Sequence, residues 1–536
     1  MIRKTAVFAL IMGLLFTGNA YAYNVQLKPF KDEAYDYARE PIYALSALGI
    51  VAGYPDGTYR PDDALSREAF IKLLVAAAKA DTSSLDGPYP ADVAKDRWSA
   101  PFVAAAFERN WLGELIDSAG KLHPGQTITR QEVAMVIGTY LLASESQVAR
   151  DEWLSEGWQQ EREVRAFPDK SSVAAKMQPY LYYAVHRGMM AGEPDGFKPL
   201  EPLTRKQAAA VIYRLIDRQI AAQSIDFTGF YAIQSYGAID RIDKLSDVIF
   251  GWSRLSYESE GRARLDTGTF EYRIPQGYEE VVAAADKAGA GKELMVFYDS
   301  ADLKSFLKDL PARQAFIDSL METLDNKAFG FSGVCIDFEG LKDAASAADL
   351  TAFLQDLKKR LGTRTLSVAA PPSYYYSGYD LKEIGRIADT VILMAYDFTH
   401  HESKLPSAPL PLVNDTVQQA LIDVPKEKLV LGISKQANQW ITSSDGIAAP
   451  PVSPAIADVE KRIAMPGVTQ TRMLPYFLDL ITFEDDRGAH EIYYENTQSI
   501  GEKIWLAKFY GLKGVSLWYM GNYTQADWAL IGQQAG

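Results

Sequence analysis

Short apolar runs alternate with amphipathic helical segments between residues 226 and 536, and this alternation limits the possible folds more than any other feature. A strand–helix alternation of this length favours a parallel sheet, and a strand count near eight favours a (β/α)₈ TIM barrel. One of the runs should then be an extra strand or a loop. The nine strand-like runs lie at residues 229–233, 247–252, 294–298, 333–338, 366–370, 390–395, 428–433, 490–494 and 514–518.

The region from about residue 29 to 220 repeats a different unit, which reads as a helix, a tight loop and a second helix. The second helix begins each time with a hydroxyl residue and an arginine, at Ser66-Arg67, Thr129-Arg130 and Thr204-Arg205. A serine or threonine there can accept a hydrogen bond from a first-turn N–H, so the three pairs predict helix starts. The middle copy is degenerate. One helix pair cannot bury its apolar face alone, so the copies should pack together.

These repeats resemble S-layer homology (SLH) domains. The loops Asp56 to Tyr59 and Asp195 to Phe197 carry the Asp-Gly-x-Phe/Tyr element of that family, although the second loop is one residue shorter. In the family, three copies form a pseudo-trimer that binds secondary cell-wall polysaccharide through the motif arginine. The resemblance implies this role for Arg67, Arg130 and Arg205, whose guanidinium could hold a carboxylate-bearing sugar through two hydrogen bonds. Each could instead be a surface residue of the first helical turn.

Residues 1–22 have the features of a secretory signal peptide. A basic start precedes an apolar run from Ala6 to Phe16, and Ala20-Tyr21-Ala22 offers small residues for cleavage after Ala22. An uncleaved membrane anchor is the alternative. No later segment has the 18 or so apolar residues of a span, so no membrane span is expected after cleavage. The expected location is outside the cell, on the bacterial wall.

Composition argues against several partners. The formal net charge of −14 disfavours nucleic acid and loose attraction to an anionic wall, so wall binding must use specific sites. Scattered histidines and the single cysteine, Cys335, make a zinc site unexpected, and we expect no metal and no cofactor.

The segment from Phe331 to Gly340 carries the residues that point to chemistry. Strand alternation places Cys335, Asp337 and Glu339 on one face, and the bulky residues between them should pack under the helices. Glu339 then lies at the C-terminal end of a barrel strand, where barrel active sites are built. An ionised Asp337 would keep Glu339 protonated near neutral pH, as a general acid requires. The alternative is a purely structural carboxylate network.

Three motifs resemble, in order, those of family 18 glycoside hydrolases. Asp337-Phe338-Glu339 resembles the end of the DxxDxDxE signature, Met394 to Asp397 the Met-x-Tyr-Asp strand, and Gly514 to Trp518 the last strand with its floor tryptophan. The resemblance covers residues 226–536 and is closest to spore and wall lytic members.

The chain therefore divides into a signal peptide and SLH repeats, followed by the barrel at 226–536. The expected bounds of the signal peptide and the repeats are 1–22, 23–85, 86–148 and 149–225.

The resemblance implies substrate-assisted, retaining catalysis, in which no second enzyme carboxylate serves as nucleophile. Glu339 would protonate the glycosidic oxygen, while Asp337 would turn the 2-acetamido group of the substrate so that its carbonyl oxygen attacks C1. Tyr396 would hydrogen-bond that acetamide, assisted by Asp397.

Other side chains at the strand ends are candidate substrate contacts. The resemblance implies that Trp518 stacks under the −1 sugar and that Met394 lies beside it. Tyr231, on the first strand, and the run from Tyr374 to Tyr376 are further candidates, each of which could instead serve barrel packing.

Two positions depart from the family signature. Ser332 and Cys335 occupy its first two aspartate positions. Cys335 thereby removes the inner carboxylate that relays charge in many chitinases, whereas related enzymes acting on peptidoglycan often carry asparagine there. Cys335 itself is expected to be a small buried filler.

The resulting hypothesis is a wall-anchored glycosidase that cleaves β-1,4 linkages of N-acetylglucosamine-containing glycan, with peptidoglycan the favoured substrate and chitin the alternative. A non-catalytic glycan-binding barrel is a second alternative, against which the presence of Glu339 argues. A purely structural S-layer subunit would leave the inward acids without a purpose.

Overall fold

The computed structural model describes residues 27–33, 36–83, 87–372 and 375–536. The signal peptide predicted at 1–22 lies outside the described residues. The described chain contains two compact units, one formed by Pro29–Gln223 and one that contains Ser224–Gly536. Among the described residues, no helix has both the length and the apolar character that crossing a bilayer requires.

The first unit is rich in helices, as predicted. They are α1 (Arg39–Ala47), α2 (Arg67–Ala77), α3 (Ala100–Glu108), α4 (Arg130–Ala143), α5 (Gln147–Glu152), α6 (Trp158–Arg165), α7 (Gln178–His186) and α8 (Arg205–Ile220). The predicted starts of α2, α4 and α8 are confirmed. Ser66 and Thr204 accept hydrogen bonds from first-turn N–H groups, and the N–H of Thr129 donates to Glu132.

Three equivalent backbone hydrogen bonds close this unit into a ring. The N–H of Leu65 donates to the carbonyl of Leu203 at 3.0 Å, that of Leu203 to Ile128 at 3.0 Å, and that of Ile128 to Leu65 at 2.9 Å. Each bond joins one copy to another, so the three copies surround a pseudo-threefold axis. The middle copy keeps this arrangement although its sequence is degenerate.

An aspartate fixes the loop of each copy in the same way. Asp32, Asp92 and Asp169 each accept two backbone hydrogen bonds of 2.7–2.8 Å from consecutive residues of the loop. The second donor of each pair has a positive φ, which keeps the turn the same in all three copies. The donor pairs are Tyr59 and Arg60, Leu122 and His123, and Phe197 and Lys198.

The second unit contains the predicted barrel. Its strands are β1 (Asp226–Tyr231), β2 (Asp247–Tyr257), β3 (Ala263–Asp266), β4 (Gly268–Thr269), β5 (Tyr272–Arg273), β6 (Gly291–Tyr298), β7 (Gly333–Phe338), β8 (Thr365–Ala370), β9 (Thr390–Leu393), β10 (Leu429–Ser434), β11 (Ala437–Thr442), β12 (Thr469–Met473), β13 (Leu478–Asp485), β14 (Gly488–Tyr494) and β15 (Gly514–Trp518). Eight of these pair in parallel in the order β1-β15-β10-β9-β8-β7-β6-β2, and β2 pairs with β1 to close the barrel.

Helices surround the barrel and separate its strands along the chain. They are α9 (Tyr278–Ala288), α10 (Leu303–Lys308), α11 (Leu310–Leu324), α12 (Ala347–Leu361), α13 (Leu381–Ile387), α14 (Leu410–Asp423), α15 (Ile456–Ile463), α16 (Thr497–Tyr510) and α17 (Gln525–Gln534). Phe338 of β7 packs outward against Phe353 of α12, with ring centroids 5.5 Å apart. Cys335 faces inward, in an apolar layer with Met295 and Phe230. Strand alternation predicted both directions.

Two antiparallel insertions interrupt the barrel. The predicted run at 490–494 lies in β14, within a four-stranded sheet of order β11-β14-β13-β12, so it is the extra strand. After β2 the chain forms β3, which pairs antiparallel with the end of β2, and then the hairpin of β4 and β5. The sequence analysis missed this hairpin because its strands have only two residues each.

Candidate active site

The end of β7 places two acidic side chains at the C-terminal mouth of the barrel. Asp337 is the penultimate residue of the strand and is 3% exposed. Glu339 follows the strand, and its N–H donates to the carbonyl of Tyr298 at 2.7 Å, which extends the β6–β7 pairing beyond the last strand residue. The backbone of a central strand therefore fixes the position of Glu339.

Burial raises the pKa of both carboxyl groups. For Glu339 the pKa rises to about 7, through burial first and then through the negative charges of Asp397 and Asp299. Burial also raises the pKa of Asp337 well above its usual range, and the charge of Glu339 adds to this effect. The pair therefore retains a proton near neutral pH. The sequence pointed to Asp337 as a source of this shift; burial and the carboxylates of Asp397 and Asp299 contribute as well.

One oxygen of Asp337 is left without a partner. Its Oδ1 is buried and forms no hydrogen bond with any described residue. A buried polar atom without a partner is costly, so this oxygen is poised to bind a polar group that enters the barrel mouth.

The Met-Ala-Tyr-Asp motif begins immediately after β9 and turns sharply at its aspartate. Asp397 has φ +63°, a left-handed conformation that costs a non-glycine residue about 1–2 kcal/mol. Two neighbours hold it there: its N–H donates to Ser407 Oγ at 2.9 Å, and Gln436 Nε2 donates to its Oδ1 at 2.9 Å. Strain maintained by such contacts is typical of functional sites.

Tyr396 lies among the carboxyl groups of the site. Burial and the charges of Asp337, Asp397 and Glu339 raise the pKa of Tyr396 well above its usual value, so its hydroxyl is a neutral donor at physiological pH. The next strand approaches closely at Gly432, where a Cβ would lie 2.8 Å from the carbonyl oxygen of Leu393 and 3.2 Å from the ring of Tyr396.

A cleft of about 60 Å³ is lined by Glu339, Tyr396 and Asp397 together with five other residues. Its lining residues are Glu339, Gly340, Pro371, Pro372, Tyr376, Met394, Tyr396 and Asp397. Tyr376 belongs to the aromatic run that the sequence analysis proposed as a sugar contact, whereas Tyr374 lies outside the described residues. Trp518 is partly exposed and packs edge-on against Phe230, at 5.1 Å, above the interior apolar layer.

The structure contradicts the expected role of Tyr231. Its side chain is 2% exposed and packs against Phe250 and Trp252, which are also fully buried. The preceding residue, Phe230, is the one that joins the interior layer and contacts Trp518. Because side chains alternate along a strand, the sequence analysis chose a residue one position out of phase.

Cys335 and Ser332, the two departures from the family signature, do not line the cleft. Cys335 is fully buried, and burial raises the pKa of its thiol well above the usual value, so it is an unreactive filler as expected. Ser332 precedes β7, at the opposite end from Glu339, and its Oγ donates to the carbonyl of Lys292 at 3.0 Å. Neither residue supplies a carboxylate to the cleft.

Sequence reasoning missed Asp299 and Tyr272. Asp299 follows β6 and is exposed at the same end of the barrel, where its charge acts on both Asp337 and Glu339. Its position after a predicted strand was a usable signal. Tyr272 of β5 stacks on Phe297 at 4.9 Å with an interplanar angle of 9°. No pattern marks Tyr272, because the hairpin that carries it is an insertion.

The three motif arginines of the ring do not have equivalent partners. Arg130 donates to the loop carbonyls of Phe197 and Ala191, and Arg205 donates in the same way to those of Tyr59 and Ala52. Neither forms an ion pair with a described residue. Arg67 also donates to a loop carbonyl, that of Leu122, at 2.7 Å, but in addition it forms a buried ion pair with Glu132 at 2.5 Å. Its charge is therefore already neutralised inside the ring.

A groove of about 350 Å³ runs along Arg130. Gln207, which occupies in the third copy the position of Glu132 in the second, lines this groove, so no carboxylate from that position pairs with Arg130. The lining residues are Tyr37, Arg130, Gly188, Met190, Ala191, Gly192, Glu193, Leu203, Gln207, Ala210, Val211 and Arg214.

A closed barrel with a buried acid pair at one strand end, and a tyrosine–aspartate pair beside it, defines a glycoside hydrolase barrel. The model of glycosyl hydrolases family 18 matches residues 226–522, so this chain belongs to that family. The model of the S-layer homology domain matches residues 29–71 and 166–209, which correspond to the first and third copies of the ring. These domains indicate a cell-surface location.

Known proteins resemble the chain over the barrel. It is 28% identical over 242 residues to the cortical fragment-lytic enzyme of Bacillus subtilis, a match that spans 42% of this chain and 55% of that enzyme. The chain thus spans about half the length of the curated relatives it matches. The spore cortex-lytic enzyme SleL of Bacillus cereus has a similar fold, with a TM-score of 0.51, 20% identity and coverage of 59% and 75% of the two chains. A chitinase from Chromobacterium violaceum also has a similar fold, with a TM-score of 0.50 and 19% identity. The match covers 58% of this chain and 99% of the chitinase.

Proposed function

We propose that the barrel is a retaining glycosidase that cleaves β-1,4 linkages at N-acetylglucosamine residues with the help of the substrate's own acetamide. The observation that carries this proposal is the buried acid pair at the end of β7. Glu339 has a pKa of about 7 and lines the cleft, and Asp337 presents an unpaired oxygen. A general acid needs a pKa near the working pH, and an acetamide N–H would satisfy the unpaired oxygen.

The reaction follows from these positions. Glu339 donates its proton to the glycosidic oxygen as the bond to C1 breaks. The acetamide carbonyl oxygen attacks C1 from the other face and forms a cyclic oxazolinium, while its N–H donates to Asp337 and the Tyr396 hydroxyl donates to the acetamide oxygen. Water then attacks C1, with Glu339 as the base, and the anomeric configuration is retained.

The surroundings of the acid pair give the other residues their roles. Trp518, partly exposed above the interior layer, forms the floor on which the −1 sugar stacks. Met394 lines the cleft beside Tyr396. Asp397 keeps the pKa of Glu339 high through its charge, so it helps to preserve the acid form.

Peptidoglycan is the substrate that we favour, and chitin is the second candidate. The name of the Bacillus subtilis relative describes lysis of cortical fragments, and an S-layer homology module would hold the barrel against the wall. Chitin is the second candidate because the barrel also has the fold of a chitinase.

The enzymatic proposal is tested with Glu339→Gln, which keeps the shape of the side chain and removes its proton. Soluble muroglycan and chitooligosaccharides are incubated with the wild type and the variant, and reducing ends are counted. We expect kcat to fall at least about 10²-fold on any substrate that the wild type cleaves. The Asp343→Asn variant changes an exposed residue and serves as the control. Full activity in Glu339→Gln would exclude the proposed acid.

We also propose that the secreted protein binds secondary cell-wall polysaccharide through Arg130 and Arg205. Both guanidinium groups lack a carboxylate partner among the described residues, and a groove of about 350 Å³ runs along Arg130. Arg67 has the same motif position, but its ion pair with Glu132 gives it a structural role instead. The ring would therefore bind an anionic polymer at two of its three arginines.

A further inference from the structure

The hairpin inserted after β2 lies beside a cation that the mechanism does not use. Arg254, near the end of β2, is in register with Phe297 of β6. Its guanidinium carbon lies 5.9 Å from the ring centre of Tyr272 and 5.8 Å from that of Tyr298. Two aromatic rings thus hold the partly exposed guanidinium in place.

One of the two rings beside Arg254, that of Tyr272, lies against the interior layer of the barrel. Tyr272 stacks on Phe297, and both pack against the interior layer on which Trp518 also rests. Burial raises the pKa of Tyr272 to about 12, and the charges of Glu271 and Asp337 add to this rise, so the ring is close to the acid pair. Tyr272 therefore lies near Arg254 and also within the influence of the acid pair.

The charged neighbours of this region are mostly acidic, yet none pairs with Arg254. Glu271 and Asp299 act on Tyr272, and Asp337 lies deeper in the barrel. The side chain of Arg254 forms no hydrogen bond or ion pair with another residue in the described ranges, whereas Arg262, in the insertion after β2, has Glu258 and Glu260 as ion-pair partners. All the donor groups of Arg254 remain available for a ligand.

We propose that Arg254 binds a carboxylate of the glycan, which makes muramic-acid-containing glycan, rather than chitin, the substrate of the barrel. This inference rests on the proposed glycosidase function. N-acetylmuramic acid carries a lactyl ether on O3 that ends in a carboxylate, or in a stem peptide with carboxylates of its own. Chitin has no carboxylate. A guanidinium binds such a group through two charge-assisted hydrogen bonds.

The acidic surroundings make the position of this cation selective. Elsewhere on the rim, Asp299 and Glu271 would repel a carboxylate, so an anionic glycan gains affinity only where its acidic substituent meets Arg254. A neutral chain gains nothing from the same contact. Arg254 therefore favours the anionic glycan over the neutral one, because it attracts the carboxylate while Asp299 and Glu271 repel it from the neighbouring positions.

The test compares Arg254→Gln with Arg262→Gln, which makes the same charge change on the exposed turn of the insertion. Three soluble tetrasaccharides are used: chitotetraose, muroglycan with a free lactyl carboxylate, and muroglycan with its stem peptide. We expect Arg254→Gln to lower the ratio of kcat/KM for muroglycan to that for chitotetraose about 10- to 100-fold. Arg262→Gln should keep the wild-type ratio.

The two muroglycans identify the carboxylate, because a loss confined to one of them assigns the contact to the lactyl group or to the stem. An unchanged ratio in Arg254→Gln, or a wild type that prefers chitotetraose, would overturn the proposal. The affinities of the same proteins for the three glycans, measured by calorimetry, show whether the Arg254 contact fails or the glycosidase proposal fails. If no substrate is cleaved, weaker binding of muroglycan alone by Arg254→Gln still supports the contact, and equal affinity overturns it.

Discussion

At the scale of single residues, the acid function of Glu339 depends first on its burial and then on the charges of its neighbours. The carboxylates of Asp397 and Asp299 both raise its pKa, and Asp299 also acts on Asp337. The exposed Asp299 is not part of any motif. It tunes the site through charge and position alone.

Replacement of Asp299 by asparagine should therefore change the pH profile. Without this charge the pKa of Glu339 falls from its value near 7, so the acid form is lost at a lower pH. The alkaline limb of kcat/KM should move to lower pH by up to about 1 unit. The measurement is a pH–rate profile on a soluble glycan. Asp343→Asn, an equal charge change at an exposed residue paired with Lys304, should leave the limb in place. Coincident limbs in all three proteins would refute the role of Asp299.

The sequence was informative about residues that belong to ordered motifs. It identified Glu339, Tyr396 and Asp397, which the structure brings into one cleft. It did not identify Tyr272 or Arg254, because Tyr272 is carried by an insertion and Arg254 comes to lie beside Tyr272 only when that insertion folds against β2. A local pattern does not contain that information.

At the scale of elements, strand prediction succeeded where burial on both faces produced continuous apolar runs. Eight of the nine runs coincide with barrel strands, and the ninth became β14 of the antiparallel insertion. A run of apolar residues does not reveal its pairing partner, so the sequence alone left open which run was the extra strand.

The base of β6 carries a buried acid that should make the stability of the barrel depend on pH. Glu293 is 5% exposed, Thr365 Oγ1 donates to it at 2.6 Å, and burial raises its pKa to about 7. The folded state therefore binds the proton more tightly than the unfolded chain. The stabilisation is complete below the ordinary glutamate pKa and is lost as the pH rises through 7.

Glu293→Gln should remove this dependence, because glutamine stays neutral. Between pH 5 and pH 8 the free energy of unfolding of the wild type should fall about 2 kcal/mol more than that of the variant. Urea unfolding, monitored by tryptophan fluorescence at both values, measures the difference. Glu322→Gln, on the exposed face of α11, should behave as the wild type. Parallel pH dependence in wild type and Glu293→Gln would show that Glu293 does not bind the proton.

At the scale of the whole molecule, the chain joins a ring in which Arg130 lines a groove to a barrel with a candidate glycosidase site. The sequence predicted both modules, including the degenerate middle copy. It did not predict that the three arginines differ, because the ion pair between Arg67 and Glu132 forms only when two copies meet in the ring. Glu132 is part of the helix-capping pattern of α4, so its second partner was not apparent.

The combination of modules should raise activity on walls without changing the chemistry. A bound ring holds the barrel at a high local concentration of glycan, an effect that is absent for soluble fragments. Removal of secondary polysaccharide from purified walls should lower the initial rate of wall hydrolysis at limiting enzyme about 10-fold or more. The rate on soluble fragments, measured in parallel, should not depend on the walls used.

Variants of the ring arginines connect this effect to the structure. Arg130→Gln should reduce sedimentation with intact walls, because its groove loses the unpaired cation. Arg67→Gln leaves Glu132 buried without a partner, so it should lower the Tm by about 5 °C or more. If Arg67→Gln abolished wall binding at unchanged Tm while Arg130→Gln bound normally, the polymer would lie at Arg67, and the assignment of the open groove would be wrong.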